Sequence, residues 1–388
     1  MPGGRPTRAG WNGARTAARA ATLAPVKAST RTIPCWRPLL VAVLALAALL
    51  VPGAPDAHAA NRTITYTVTT QGTVYGNLDQ FAAVAAQTFA DSRGWSLGGT
   101  LAFQRVSSGG EFTLILASPS VVGANAGCDS YYSCRVGRNV YINDERWRTA
   151  TSSWPYGVPL YQQYVIMHEV GHWLGLGHSN CPASGRSAPV MQQQSIGLQG
   201  CRSNMWPLIA ERVQVGRTTG VPVNWSAVDR KYIALGQERS VLGGPTFWEQ
   251  PTGGRPGRYQ SFQAGTISWS STTGAFETHG QIDARYRATG GSGGPLAFPT
   301  TDTRVTGDQL GRFSRFNGNG GGAIFWSSST GAQAVYGPIF ARWGQMSYER
   351  GPLGYPTSSV YEVTGGQRVD FQGGYIRWDR ATGQTTVG

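Results

Sequence analysis

The chain has 388 residues, 40% of them hydrophobic and 14% charged, a length that suggests two or three domains. Its formal charge is +13, but Lys27 and Lys231 are the only lysines. No dense basic stripe with interleaved aromatics occurs, so nucleic acid is not an expected partner.

Residues 1–37 carry Arg5, Arg8, Arg15, Arg19, Lys27, Arg31 and Arg37 and no acidic residue. Pro38–Val51 is apolar, and Ala57-His58-Ala59 is a small-x-small cleavage pattern. This order predicts a signal peptide over 1–59, with an uncleaved anchor as the alternative. The apolar run falls short of the about 20 residues a membrane span needs, so no permanent span is expected after cleavage. Cleavage after Ala59 removes seven basic residues and Asp56, leaving +7. The expected product is secreted and mildly basic, suited to weak attraction by an anionic envelope.

Thr63–Thr69 alternates β-branched and aromatic residues as a strand does. Leu78–Ser92 has the apolar spacing of a helix. Leu101–Val106 and Glu111–Ala117 read as strands with a turn at Gly109-Gly110, and Asn139–Asn143 as another. Tyr161–Leu174 reads as a second long helix. The order predicts an α+β domain over 60–215. Four cysteines remain after export: Cys128, Cys134, Cys181 and Cys201. They allow three pairings. Local pairing, Cys128–Cys134 and Cys181–Cys201, is the expectation among them; the rival reading, a zinc site made from these cysteines, is disfavoured because the spacings do not resemble C-x-x-C pairs.

His168–His178 reads H-E-V-G-H-W-L-G-L-G-H and holds three of the five histidines. His168 and His172 lie one helical turn apart on one face, where two imidazoles can grip one Zn²⁺. Gly175 can take a left-handed conformation that ends the helix and returns His178 as third ligand. A fourth position stays open, as in catalytic rather than structural sites. Glu169 lies beside the pair, placed to take a proton from an activated water.

These residues resemble the metzincin zinc peptidases, and G-H-W-L-G-L-G-H-S over Gly171–Ser179 is most similar to the matrixin branch. The resemblance implies a twisted sheet on two helices, with an edge strand lining the cleft. It also implies a methionine beneath the metal: Met191, with Met205 as fallback. No cysteine-bearing propeptide of the matrixin kind is visible. Asp91-Ser92-Arg93-Gly94-Trp95, Ala188–Gln194 and Gly200-Cys201 resemble a family of secreted actinobacterial proteins of unassigned function that share the metal motif. The stretch from Ala117 to Arg138 is the expected cleft rim, and its Tyr131 and Tyr132 are either part of that rim or ordinary surface residues.

From about Val221 the chain repeats. Leu242-Gly243-Gly244-Pro245-Thr246 recurs as Leu296-Ala297-Phe298-Pro299-Thr300 and Leu353-Gly354-Tyr355-Pro356-Thr357. A strand pattern ending in Trp269, Trp326 or Trp378 follows each copy. A short aromatic helix precedes it, around Tyr232, Tyr286 or Trp343. The units over 221–388 resemble LGFP repeats of secreted actinobacterial proteins, a resemblance that implies cell-wall attachment. The first copy lacks the motif's aromatic. The three tryptophans are expected chiefly as shared core, with sugar stacking as the alternative.

The chain therefore reads as a secreted zinc endopeptidase acting on protein or peptide, with repeats that bind an envelope polymer. The alternatives are a wall-binding protein with a vestigial metal domain, and a peptidase of peptidoglycan cross-bridges.

Overall fold

The computed structural model describes residues 60–388, so the signal peptide expected at 1–59 lies outside the described residues. Among the described residues no helix is long and apolar enough to cross a membrane. The first elements run β1 (Arg62–Gln71), α1 (Leu78–Ala90), β2 (Leu101–Arg105), β3 (Phe112–Ala117), α2 (Pro119–Gly123), β4 (Cys134–Val136), β5 (Asn139–Asn143), α3 (Asp144–Thr149), α4 (Val158–Trp173), α5 (Ile209–Thr219) and α6 (Ala227–Ala234).

The sheet order is β2-β1-β3-β5-β4. The first four strands are parallel and β4 is an antiparallel edge. One face buries Ile64, Tyr66, Leu114, Leu116 and Ile142 against α1 and α4. The other packs Ile115, Ala117 and Tyr141 with Val122 of α2 and both cysteines of the edge loop. Parallel strands covered on both faces are the mixed α/β arrangement.

Gly109-Gly110 does not turn a hairpin. β2 runs along the first half of β1, from Arg62 to Tyr66, and β3 along the second half on the other side, from Tyr66 to Gln71. The chain crosses over β1 between them, pinned by Val106 N to Tyr66 O at 2.8 Å and Glu111 N to Thr65 O at 2.7 Å. A Cβ on Gly110 would stand 2.7 Å from the Tyr66 Cα, so the crossing requires glycine.

α1 begins where the Asn77 side chain accepts the Gln80 N–H at 2.8 Å, and buries Phe81, Ala85 and Phe89. α4 carries Pro159 in its first turn, and ten of its sixteen residues are buried, so it lies within the core rather than upon it.

The repeats form three four-stranded antiparallel sheets. α6 and the helices Gly280–Ala288 and Gly337–Gln345 bury Tyr232, Tyr286 and Trp343. The proline of each motif bridges to a phenylalanine in the same register: Pro245 to Phe262, Pro299 to Phe316, Pro356 to Phe371. The motif aromatic docks on the preceding repeat. Phe298 would stand 2.4 Å from a Cβ at Gly257, and the Tyr355 hydroxyl 2.7 Å from one at Gly311.

Before the first repeat stands the sheet domain, and there Gly244 replaces the aromatic. A Cβ on Gly244 would lie 2.8 Å from Cδ of Arg186, which comes from the Cys181–Cys201 loop. Arg186 donates to Gln263 at 3.1 Å and to Glu238 at 2.6 Å, and Ser187 N donates to Pro245 O at 2.8 Å. Tyr156 packs edge-on against Phe247 and Trp248 across the same junction. The departure from the repeat motif is the space this arginine needs.

Candidate metal centre

α4 delivers His168 and His172 one turn apart and ends at Trp173. Gly175 takes φ +94°, and no atom lies within 4 Å of where its Cβ would stand. The backbone angle, not crowding, therefore calls for glycine there. Gly175 N donates to His172 O at 3.2 Å and Leu176 N to Gly171 O at 3.0 Å, closing the helix and sending His178 back. The ligand nitrogens of His168, His172 and His178 lie within 4.8 Å of one another.

Two of the rings are held from behind. His168 Nδ1 lies 2.8 Å from Val190 O, and His172 Nδ1 lies 2.9 Å from Leu176 O. A carbonyl can only accept, so each Nδ1 carries the proton and each Nε2 keeps its lone pair. Burial pushes His168 down to about 3, with the His172 charge adding to it, and burial lowers His172 and His178 as well. Neutral imidazoles are the form a metal requires. His172 Nε2 and His178 Nε2 stand 3.1 Å apart. Two nitrogens each bonded to one tetrahedral zinc at about 2.0–2.1 Å stand about 3.3 Å apart. With that pair near tetrahedral spacing and the His168 nitrogen within 4.8 Å of both, the three imidazoles could hold a metal ion.

Glu169 is buried, and burial pushes its carboxyl up to about 8 while Arg135 pulls it back. The cleft of about 440 Å³ is lined by the three histidines and Glu169, by Cys128, Asp129, Tyr132, Cys134 and Arg135 of the edge loop, and by Gln193, Ser195 and Ile196 beyond Met191. Tyr132 is thus on the rim. Tyr131 is 46% exposed, with Arg146 over its ring.

Met191 is fully buried, and its sulfur would stand 2.4 Å from a Cβ at Gly171 between the histidines. Met205 is also buried, but Met191 is the methionine packed against α4. The structure joins Cys128 to Cys134 and Cys181 to Cys201, and the second bridge closes the loop that carries Met191. Trp269, Trp326 and Trp378 are partly buried; the first two pack against the core of their own repeat, and Trp378 against a core shared by the second and third repeats.

The motif reading missed four contributors. Trp95 donates to Met167 O at 2.8 Å, Tyr164 to Gln192 O at 2.8 Å, Arg135 to His172 O at 2.8 Å, and Glu211 accepts Met191 N at 2.8 Å. Arg135 follows Cys134 in the stretch flagged as rim, which was its only signal. Glu211 stands three residues into α5, a position that reads as a plain helix cap.

Residues 49–218 match a family described as a protein of unknown function (DUF3152), and residues 242–294, 296–351 and 353–388 match the LGFP repeat. The chain carries a DUF3152 domain followed by LGFP repeats. The sheet and the histidine cluster belong to the DUF3152 domain, and Gly244 lies in the first LGFP repeat. Among solved structures, the archaemetzincin of Methanopyrus kandleri is similar at 15% identity, over 44% of this chain and 99% of that one, with a TM-score of 0.28. No curated protein matches.

Proposed function

We propose that the protein is an exported zinc endopeptidase held at the cell envelope by its repeats. The observation that carries this reading is the convergence of three neutral imidazoles, two with Nδ1 bonded to backbone carbonyls, beside a buried glutamate in an open cleft. His168, His172 and His178 would hold the ion. Zinc there supplies Lewis acidity, bringing the pKa of water toward about 7 and polarising a carbonyl. Glu169 takes the proton of the attacking water and returns it to the leaving amine. β4, the antiparallel edge, brings Cys134 and Arg135 to the cleft, and an extended peptide would pair with that edge through its main chain.

The LGFP repeats support attachment to a wall polymer, and with it the narrower reading that the substrate is a peptidoglycan cross-bridge. The test is cleavage of unfolded casein and of purified wall by the exported chain, with and without chelator, beside Glu169→Ala. Chelator-sensitive cleavage is expected, at least about 1000-fold weaker in the variant, which should still bind zinc. Cleavage of wall alone selects the narrower reading. Zinc binding without cleavage of either leaves a wall-binding protein.

A further inference from the structure

Glu211 is buried at the start of α5, and its carboxylate accepts three backbone N–H groups. Leu208 N donates at 2.7 Å, which is an ordinary helix-start bond. The other two come from the methionine segment: Val190 N at 3.1 Å and Met191 N at 2.8 Å. The carbonyls of that segment point to the metal centre. Val190 O accepts the His168 Nδ1 proton at 2.8 Å, and Met191 O accepts Ser179 N, beside His178, at 3.0 Å.

Met191 N and Val190 O belong to one peptide unit. A continuous chain therefore runs from the Glu211 carboxylate through that peptide plane to His168. A carboxylate on the N–H side polarises the unit and makes its oxygen a stronger acceptor. A stronger acceptor at Nδ1 raises the donor strength of Nε2 and fixes the ring. A helix cap alone does not explain the arrangement, because capping needs one bond and any exposed polar residue could provide it. Here a carboxylate is buried at a cost, its pKa pushed up to about 7, and spends two of its three bonds outside its own helix.

We propose that Glu211 is a positioning residue of the metal centre, orienting and strengthening His168 through the Val190–Met191 peptide and steadying His178 through Met191 O. This rests on the zinc reading above. The test is zinc affinity by competition with a chromophoric chelator, together with the visible spectrum of the cobalt(II)-loaded protein. It compares wild type, Glu211→Gln, Glu211→Asp and Val215→Ala. Val215 is buried in the same helix and touches none of these bonds, so its variant reports simple loss of stability. Glu211→Gln is expected to weaken zinc about 10–100-fold and to shift the cobalt spectrum. Glu211→Asp, which keeps the charge, should fall between, and Val215→Ala should match wild type in both readouts. Wild-type affinity and spectrum in Glu211→Gln, or an equal loss in Val215→Ala, would overturn the proposal. Should Glu211→Gln fail to fold, Glu211→Asp decides by the same two readouts. Absence of zinc binding by the wild type would overturn the underlying reading instead.

Discussion

At the residue scale, the centre is built against the stability of the domain that carries it. Glu169 and Glu211 are both buried carboxyls whose pKa is raised, to about 8 and about 7. A carboxyl raised on folding favours the folded state below its unfolded pKa, and that contribution is lost as pH rises through the folded value. The contribution of these two carboxyls should therefore fall between about pH 4.5 and pH 8, while the lowered histidines act in the opposite sense below their ordinary pKa. Glu169→Gln removes one of the two groups. In metal-free samples it should be the more stable protein at pH 8, by on the order of a few kcal/mol, with the gap closing toward pH 4.5. Urea unfolding at the two pH values checks this. A gap that widens in acid would refute the account. A metal ion held as proposed would compensate the same charge.

At the element scale, the crossover between β2 and β3 sets the strand order. Its crossing point has no room for a side chain, because the Gly110 Cβ position faces the backbone of Tyr66 and Thr67. Gly110→Ala should cost about 1–3 kcal/mol, read as a lowered denaturation midpoint, whereas Gly109→Asn, at a left-handed position in open space, should cost little. The strands themselves were legible from alternation, and Asn139–Asn143 matches its expected bounds. Their direction was not. A pair of glycines between two apolar runs looks the same for a hairpin and for a crossover, since the difference lies in which side of β1 each run occupies. β4 was missed because three residues, one of them a cysteine, carry no period.

At the scale of the whole molecule, the first repeat is joined to the sheet domain by contacts that differ from those between repeats. Gly244→Phe, which restores the motif aromatic, should displace Arg186 and undo its bonds to Gln263 and Glu238. The expected loss is about 1–3 kcal/mol, with a single calorimetric transition dividing in two. An unchanged transition would mean that the junction does not depend on this arginine.

The sequence by itself picked out the three histidines that cluster, the buried glutamate beside them, the glycine that returns the third histidine, and the repeat period. Each depends on helical spacing, a single backbone angle or a recurring motif, and such features are local. Only the tertiary structure decided the strand order, the edge that lines the cleft, the use of Gly244 and the link from Glu211 to His168. Those rest on contacts between residues about 20 or more positions apart, as Met191 and Glu211 are, and no local pattern encodes which distant groups will meet.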